Sequence, residues 1–592
     1  MIKFPVSARF RFLVDTFSIC LVLLGIIATW FFAIPNFSNS KYQIADEQPI
    51  EFSMPLYFES INEKLAVVST QMHLSFFHFS KYRISADDCI EFMRINDKVV
   101  IDEENPLCGY YEGKVFNLSE HIKSGDNEII VFVHNNGGPA TFNIEPHVGD
   151  ILMLLLISIL LGSISLYFLR LKCFLSFPKA FLFLIFFGVA LRILYTAGTP
   201  YDVRAHDVSG HIEYVHFIIE NYKLPHVGDG WEWYQPPLYY VLLSPVSLLT
   251  RNISILEPVE YLLMQCISLV LSILSLFVLF LIGREIFPRK AQIKQKLFFI
   301  AFLSVFPGLI YFASRINNDV LFAFLGFASI YCLLKWWKEN GNIWWYSSIL
   351  LISLGLLSKS NSILLLAFAG SLFIFARHIY WKDKIKMAIK SGVILLLLTE
   401  WLFVFRWLGG DTMSLVGNVA TLNSGLLVEN SFINFVTFNP IAILEYPFAD
   451  AWNDEFRRGF FLEFLYKSSF FGEFKLNEEM HPLASSILLV NLLTFPLFIW
   501  GIIKSIKNNL YSSLPMIFLF LIFILGHTVF RFNYPYSSSQ DFRYSILLLV
   551  PIFYFLITGW EKSNVSVRKA YILIFITFIV LCGIFDVWLS LN

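Results

Sequence analysis

Charge is what this chain has least of. Asp, Glu, Lys and Arg make up only 15% of its 592 residues, against roughly 25% in an ordinary soluble chain. That scarcity excludes a soluble globular protein, and 56% hydrophobic residues exclude a disordered one. The imbalance of sign is as small: 44 Lys and Arg against 45 Asp and Glu leave a net charge of −1. No global field draws in a polyanion, so nucleic acid is not expected as a partner. Cysteine is scarce too, seven in all, and no Cys/His spacing resembles a zinc site. No internal repeat runs along the chain.

What is present is clustered hydrophobicity, with a mean hydropathy of +0.63. A helix needs about 20 apolar residues to cross the hydrocarbon core. Runs of this kind fall at about 12–34, 150–170, 180–197, 262–283, 297–314, 319–337, 343–357, 362–379, 388–407, 485–504, 512–530, 544–560 and 569–589. The expected fold class is therefore a polytopic α-helical membrane protein of about 13 spans, with the lipid bilayer as its solvent. The first run is too long for a signal peptide and no small-x-small cleavage site follows it, so it reads as an anchor over 1–34.

Lys and Arg in the short connections set the orientation. Basic clusters at Lys3/Arg9/Arg11, Arg170/Lys172/Lys179, Arg284–Lys296, Lys335/Lys338, Lys382–Lys390, Lys504/Lys507 and Lys562–Lys569 all fall on one face, if 236–250 is a short kinked or re-entrant segment. With that face cytoplasmic, 35–149, 198–261, 408–484 and 531–543 lie outside, as do the turns near 315–318 and 358–361. Compact loops favour a bacterial inner membrane with an outward site, although the basic-in pattern also suits an endoplasmic reticulum.

The first outer segment, 35–149, is long enough for one sandwich domain, leaving 150–592 for the helical domain. It has alternating runs such as Glu128–His134 and turn signals such as Ser124-Gly125-Asp126-Asn127. The stretch from Ile84-Ser85-Ala86-Asp87 through Phe142-Asn143-Ile144 resembles a galactose-binding-like jelly roll, a module that binds sugar in some proteins and is structural in others. Cys89 and Cys108 are the two cysteines of this segment. They read as a disulfide or as two buried thiols. The other five lie in or beside spans, as small hydrophobes.

Loop 198–240 carries the chemistry-bearing residues. Asp202, His206, Asp207 and His211 fall within ten residues, directly after a span. Apolar spacing over 207–222 predicts a short interfacial helix. Asp207 and His211 are four apart and share a face. Trp231, Trp233 and Tyr234 suit the headgroup level, and Gln235-Pro236-Pro237 breaks the chain before it becomes apolar again. An acid at the mouth of a span is costly unless it serves something; the plainer alternative makes these acids solvated loop residues or a helix N-cap.

The pattern Asp207-x-x-x-His211-x-x-Tyr214, then Leu224-Pro225, then Tyr234-Gln235-Pro236-Pro237-Leu238-Tyr239-Tyr240, resembles the first outer loop of GT-C-fold membrane glycosyltransferases, a class that includes protein O-mannosyltransferases and lipid A aminoarabinose transferases. Three later turns agree: Ser314-Arg315-Ile316-Asn317-Asn318-Asp319, Gly355-Leu356-Leu357-Ser358-Lys359 and Gln540-Asp541-Phe542-Arg543-Tyr544. The resemblance implies transfer of a sugar from a polyprenyl-phosphate donor to a glycan, lipid or protein acceptor, by a single displacement with inversion. It implies Asp207 as the base with Asp202 as the alternative, and His211 or His206 orienting the acceptor or touching the phosphate. Lys359, Arg543 and Arg315 would hold the phosphate, as cations on that face; snorkelling or helix-end solvation is the plainer account of each. Tyr214, Tyr234, Gln235, Asp319, Asp541 and Arg457 would line the cavity, with Arg457 and Arg458 as secondary phosphate contacts from loop 408–484.

Many relatives place two acids side by side where this chain separates Asp202 from Asp207. That leaves the base open and argues against an obligatory metal, a divalent cation remaining possible. Two other functions compete. A flippase of lipid-linked sugars would show mid-span charges, of which Asp15 and Glu400 are the chief ones here, and broken helices in repeated halves. A non-catalytic sugar-binding protein would act through the sandwich.

Overall fold

A computed structural model describes residues 35–44, 48–52, 54–60, 64–74, 81–86, 89–102, 104–108, 113–135, 138–146, 179–252, 257–377, 379–411, 424–474, 476 and 478–591. The expected anchor 12–34 and the expected span 150–170 lie outside the described residues. The chain divides into two compact units, Met1–Phe177 with Ala197–Thr199, and Pro178–Thr196 with Pro200–Asn592.

The first unit is a two-sheet antiparallel sandwich. Its strands are β1 (Asn36–Ile44), β2 (Ile50–Glu51), β3 (Leu56–Ser60), β4 (Lys64–Leu74), β5 (Lys81–Ala86), β6 (Cys89–Ile95), β7 (Lys98–Ile101), β8 (Leu107–Cys108), β9 (Lys114–Asn117), β10 (Gly125–Asn135) and β11 (Gly138–Pro146). One sheet runs β2-β1-β4-β10-β6-β7, with β8 also on β6; the other runs β3-β11-β5-β9. Period-two patterning builds the core between them. On β4, Ala66, Val68, Thr70, Met72 and Leu74 are buried; on β10, Ile129, Val131 and Val133 are. On β6 the phase changes between Ile90 and Met93. The register shifts there against Phe132 and Val133, and an extra residue re-aims the side chains, as a bulge does. Cys89 on β6 faces Cys108 on β8 in register, and the two form a disulfide.

The second unit is helical. Among the described residues seven continuous helical runs are long and apolar enough to cross a membrane, or eight if a pair bent by 62° at 305–306 counts as one span. Two further apolar helices, Asn342–Leu356 and Ser360–Phe375, are shorter. Every expected run within the described residues is thus helical, and the protein is a polytopic membrane protein with an N-terminal antiparallel sheet domain. The count of about 13 exceeds the seven or eight full-length runs for three reasons. Two expected runs lie outside the described residues, and two are short. The 53-residue run His481–Asn533 also contains two expected spans. It folds back at Asn509, whose φ of −160° and ψ of 82° are not helical. Ser513 donates to the Ser505 carbonyl at 3.3 Å, and the Phe498 and Phe520 rings meet at 5.7 Å. Both pairs are symmetric about Asn509, as in an antiparallel hairpin. The segment 236–250 forms the helix Leu238–Asn252, which contains Pro245. At 15 residues it rises about 22 Å, short of a hydrocarbon core of about 30 Å.

Four breaks between helices are stitched together, and they position the site. They are the loop 199–237, the turn 314–318, the turn 357–362 and the segment 534–548. Leu238 N–H donates to the Leu357 carbonyl at 2.8 Å, Asn318 Nδ2 to the Ser358 carbonyl at 2.9 Å, and Asn361 Nδ2 to the Tyr544 carbonyl at 3.2 Å.

Candidate functional site

Where the four breaks meet there is a cavity of about 740 Å³. Its wall includes Asp207, His206 and His211 from the first loop and its helix, Lys359 and Asn361 from the third break, and Arg543 and Tyr544 from the fourth. Residues more than 300 positions apart thus face one space.

Asp207 precedes the helix Val208–Asn221 with a φ of 53°, a left-handed conformation that Asp tolerates better than most residues. It occupies the N-cap position, but its side chain makes no capping hydrogen bond. Instead Asp207 Oδ1 accepts from the Trp231 indole N–H at 2.8 Å. The carboxylate is exposed, held by one oxygen with Oδ2 left over.

The cations are buried. Lys359, in the tight turn after Gly355, pairs with Asp319, whose side chain is fully buried at the start of the helix Asp319–Glu339. Arg543 lies 3.9 Å from Asp319 and 3.5 Å from Asp541. Among the described residues its one side-chain hydrogen bond goes to the Tyr544 hydroxyl at 3.1 Å, and its Nε is buried without a hydrogen-bond partner, 3.5 Å from Asp541. Lys359 and Arg543 both lie over the Tyr544 ring at 5.0 Å. Burial pushes the Lys359 ammonium below its usual range, with Asp319 opposing. Two cations sharing two buried carboxylates, with Arg543 3.9 and 3.5 Å from them, beside an open cavity, form a ready anion site.

Arg315 is close by but does not line the cavity. It stacks on Phe474 at 5.1 Å and on Tyr311 at 5.4 Å, donates to the Arg204 carbonyl at 3.2 Å, and contributes its field from behind. With Arg315 included, three cations face Asp319 and Asp541, which leaves one positive charge.

Burial keeps both imidazoles neutral. His211 is pushed down to about 4 by burial, against the pull of Asp207. Its Nδ1 is hydrogen-bonded to the Tyr240 hydroxyl at 2.8 Å. His206 falls well below its ordinary value through burial and the nearby Arg543. It stacks on Phe474 between Asp541, at 3.5 Å, and Glu473, at 3.9 Å. Neither can act as a cation on a phosphate at neutral pH.

The remaining expected residues divide. Tyr234 and Gln235 line the cavity. Asp319 and Asp541 lie beneath it as partners of the cations. Tyr214 stacks under Tyr240, ring centres 3.9 Å apart, and supports the wall from behind. Asp202 is outside the cavity lining. Arg457 is also outside: it forms a two-point pair with Glu463 at 2.5 and 2.8 Å, and Arg458 pairs with Asp454. A buried carboxylate takes the charge that the sequence left available for a phosphate.

Sequence reasoning missed Glu232, Glu473, Asn318 and Tyr544. Glu473 lines the cavity, and burial, with Asp541 beside it, raises its carboxyl well above the usual range. The available signal was the aromatic flanks, Trp231-Glu232-Trp233 and Phe471-Gly472-Glu473-Phe474, which bury an acid that would otherwise be solvated. Among the described residues no group of three or more His, Cys, Asp or Glu side chains is arranged to hold a metal ion.

A helical bundle that gathers an acid and buried cations around one cavity defines the class: a polytopic membrane protein with a charged, ligand-sized site. Residues 246–406 match the family model for dolichyl-phosphate-mannose-protein mannosyltransferase, so over that stretch the chain is similar to membrane glycosyltransferases of the mannosyltransferase type. The matched stretch carries Arg315, Asn318, Asp319 and Lys359; Asp207 and Arg543 lie on either side of it. No curated protein matches the chain.

Proposed function

We propose that the protein transfers a sugar from a polyprenyl-phosphate donor to an acceptor hydroxyl on the extracytoplasmic face of the membrane, by a single displacement with inversion. The observation that carries this is the meeting of Asp207, Lys359 and Arg543 around one cavity. The family similarity over 246–406 supports the reaction class, and basic connections on the opposite face support the outward orientation.

The chemistry follows from the charges. Lys359 and Arg543 hold the phosphate and stabilise the negative charge that grows on it as the bond to the anomeric carbon breaks. Asp207 takes the proton of the attacking hydroxyl on Oδ2, while Trp231 fixes Oδ1. His211 and His206 remain neutral and set the wall, and Asp541 and Asp319 keep the cations in place. Asp202 is not needed as a base. The acceptor is a glycan, a lipid or a protein, and the membrane is a bacterial inner membrane.

Radiolabelled transfer by the purified protein is the test. Asp207→Asn is expected to bind a polyprenyl-phosphate sugar like wild type and to lose transfer by about 10²–10⁴-fold, the range for removing a general base. Full transfer by that variant removes Asp207 from the mechanism.

A further inference from the structure

The cavity wall also holds an acid, Glu232, that the transfer chemistry above does not use. It is 3% exposed and lines the cavity. Gly210, on the helix Val208–Asn221, packs against its stem so closely that a Cβ there would lie 3.0 Å from the Glu232 Cγ. The Gln235 amide donates to Glu232 Oε2 at 3.0 Å. Gln235 Oε1 in turn accepts from Asn318 Nδ2 at 3.0 Å, and that amide also donates to the Ser358 carbonyl at 2.9 Å. A hydrogen-bonded chain therefore links Glu232 to the residue before Lys359, which fixes the acid in the wall that carries the cation.

The groups acting on Glu232 are Asp207, which opposes its ionisation, and Lys359 and Arg543, which favour it. Tyr234 and Tyr240 also face it. Burial outweighs the two cations and pushes the carboxyl up to about 8. At pH 7 it is mostly neutral. Gln235 donates to Oε2, and the protonated carboxyl has one O–H to give.

We propose that Glu232 is a neutral hydrogen-bond donor to the phosphate group of the lipid-linked donor, acting beside Lys359 and Arg543. This rests on the phosphate-donor reading above. A carboxylate in that place would repel the phosphate and compete for both cations. A carboxylic acid supplies an O–H and no counter-charge.

The test is equilibrium binding of farnesyl phosphate to the purified full-length protein from pH 7 to 9, with farnesol as control. The probe's phosphate titrates near pH 6 and is mostly dianionic over this range. Wild-type affinity is expected to fall about tenfold between pH 7 and pH 9 as Glu232 ionises. Glu232→Gln keeps an N–H donor in place of the O–H; it should retain most of the pH 7 affinity and lose the alkaline fall. Glu232→Ala should bind several-fold more weakly at pH 7. A flat wild-type profile, or the same alkaline fall in Glu232→Gln, overturns the proposal. Farnesyl phosphate binding no better than farnesol at any pH overturns the phosphate-donor reading and this proposal with it, a result distinct from pH-independent binding. If Glu232→Gln does not fold, infrared spectroscopy of the wild type decides: a protonated-carboxyl band must disappear in step with the affinity, and a band that persists to pH 9 overturns the proposal.

Discussion

At the scale of single residues, burial decides which groups carry charge. His211 ionises freely in an unfolded chain near its ordinary value of 6.5, but in the folded protein only near 4. Between these values the unfolded chain holds more protons, so stability falls as pH drops through that window. His211→Asn should lessen the loss of melting temperature between pH 6.5 and 4 without abolishing it, because His206 is depressed in the same sense. An unchanged acid profile would show that His211 is not buried as described. The same residues show what a sequence makes legible. Asp207, Lys359 and Arg543 were readable because acids and bases at the ends of apolar runs are costly unless used. Glu232 and Glu473 were not, because an acid between aromatics in a loop looks solvated until the fold buries it. Arg457 misled for the opposite reason: its partner Glu463 lies six residues on, and nothing in the spacing shows that the pair closes on itself.

At the scale of elements, the helices were legible from hydrophobic runs, and their ends and pairings were not. The backbones of Phe495–Asn533 and Leu549–Glu561 meet at Gly501 and Gly559. A Cβ on Gly559 would run into the Leu497 carbonyl, and one on Gly501 into the Phe555 carbonyl. Small residues permit such close approach of membrane helices. Gly559→Ala should therefore lower the melting temperature, by an overpacking cost of about 1–3 kcal/mol. A Cβ on Gly370, in the helix Ile363–Phe375, would meet nothing within 4 Å, and Gly370→Ala should stabilise by about 0.5–1 kcal/mol. Thermal unfolding of the two variants in the same detergent reads both; a fall in both, or in neither, contradicts this packing. The fold-back at Asn509 was legible only as two separate apolar runs, since the hairpin depends on tertiary contacts such as Ser513 with Ser505.

At the scale of the whole molecule, the division into a sandwich and a helical bundle followed from one polar stretch with period-two patterning in an otherwise apolar chain. The pairing order of the eleven strands among the described residues did not, because register depends on which faces meet. Among the described residues every one lining the cavity comes from the helical unit, and the disulfide belongs to the sandwich. Cys108→Ser opens a loop of sequence separation 19 and should destabilise the sandwich by about 3 kcal/mol while leaving farnesyl phosphate binding unchanged. Calorimetry and the binding assay on the same preparation separate these effects, and lost binding would tie the sandwich to the site.

The central claim is that two cations from distant parts of the chain hold a phosphate in the cavity that Asp207 also lines. A cryo-electron microscopy structure of the full-length protein with a polyprenyl phosphate bound tests it most directly. Phosphate density is predicted within hydrogen-bond reach of the Lys359 ammonium and the Arg543 guanidinium, in the cavity that Asp207 also lines. Phosphate held elsewhere, for example at the basic connection 284–296, with this cavity empty of it, would contradict the claim.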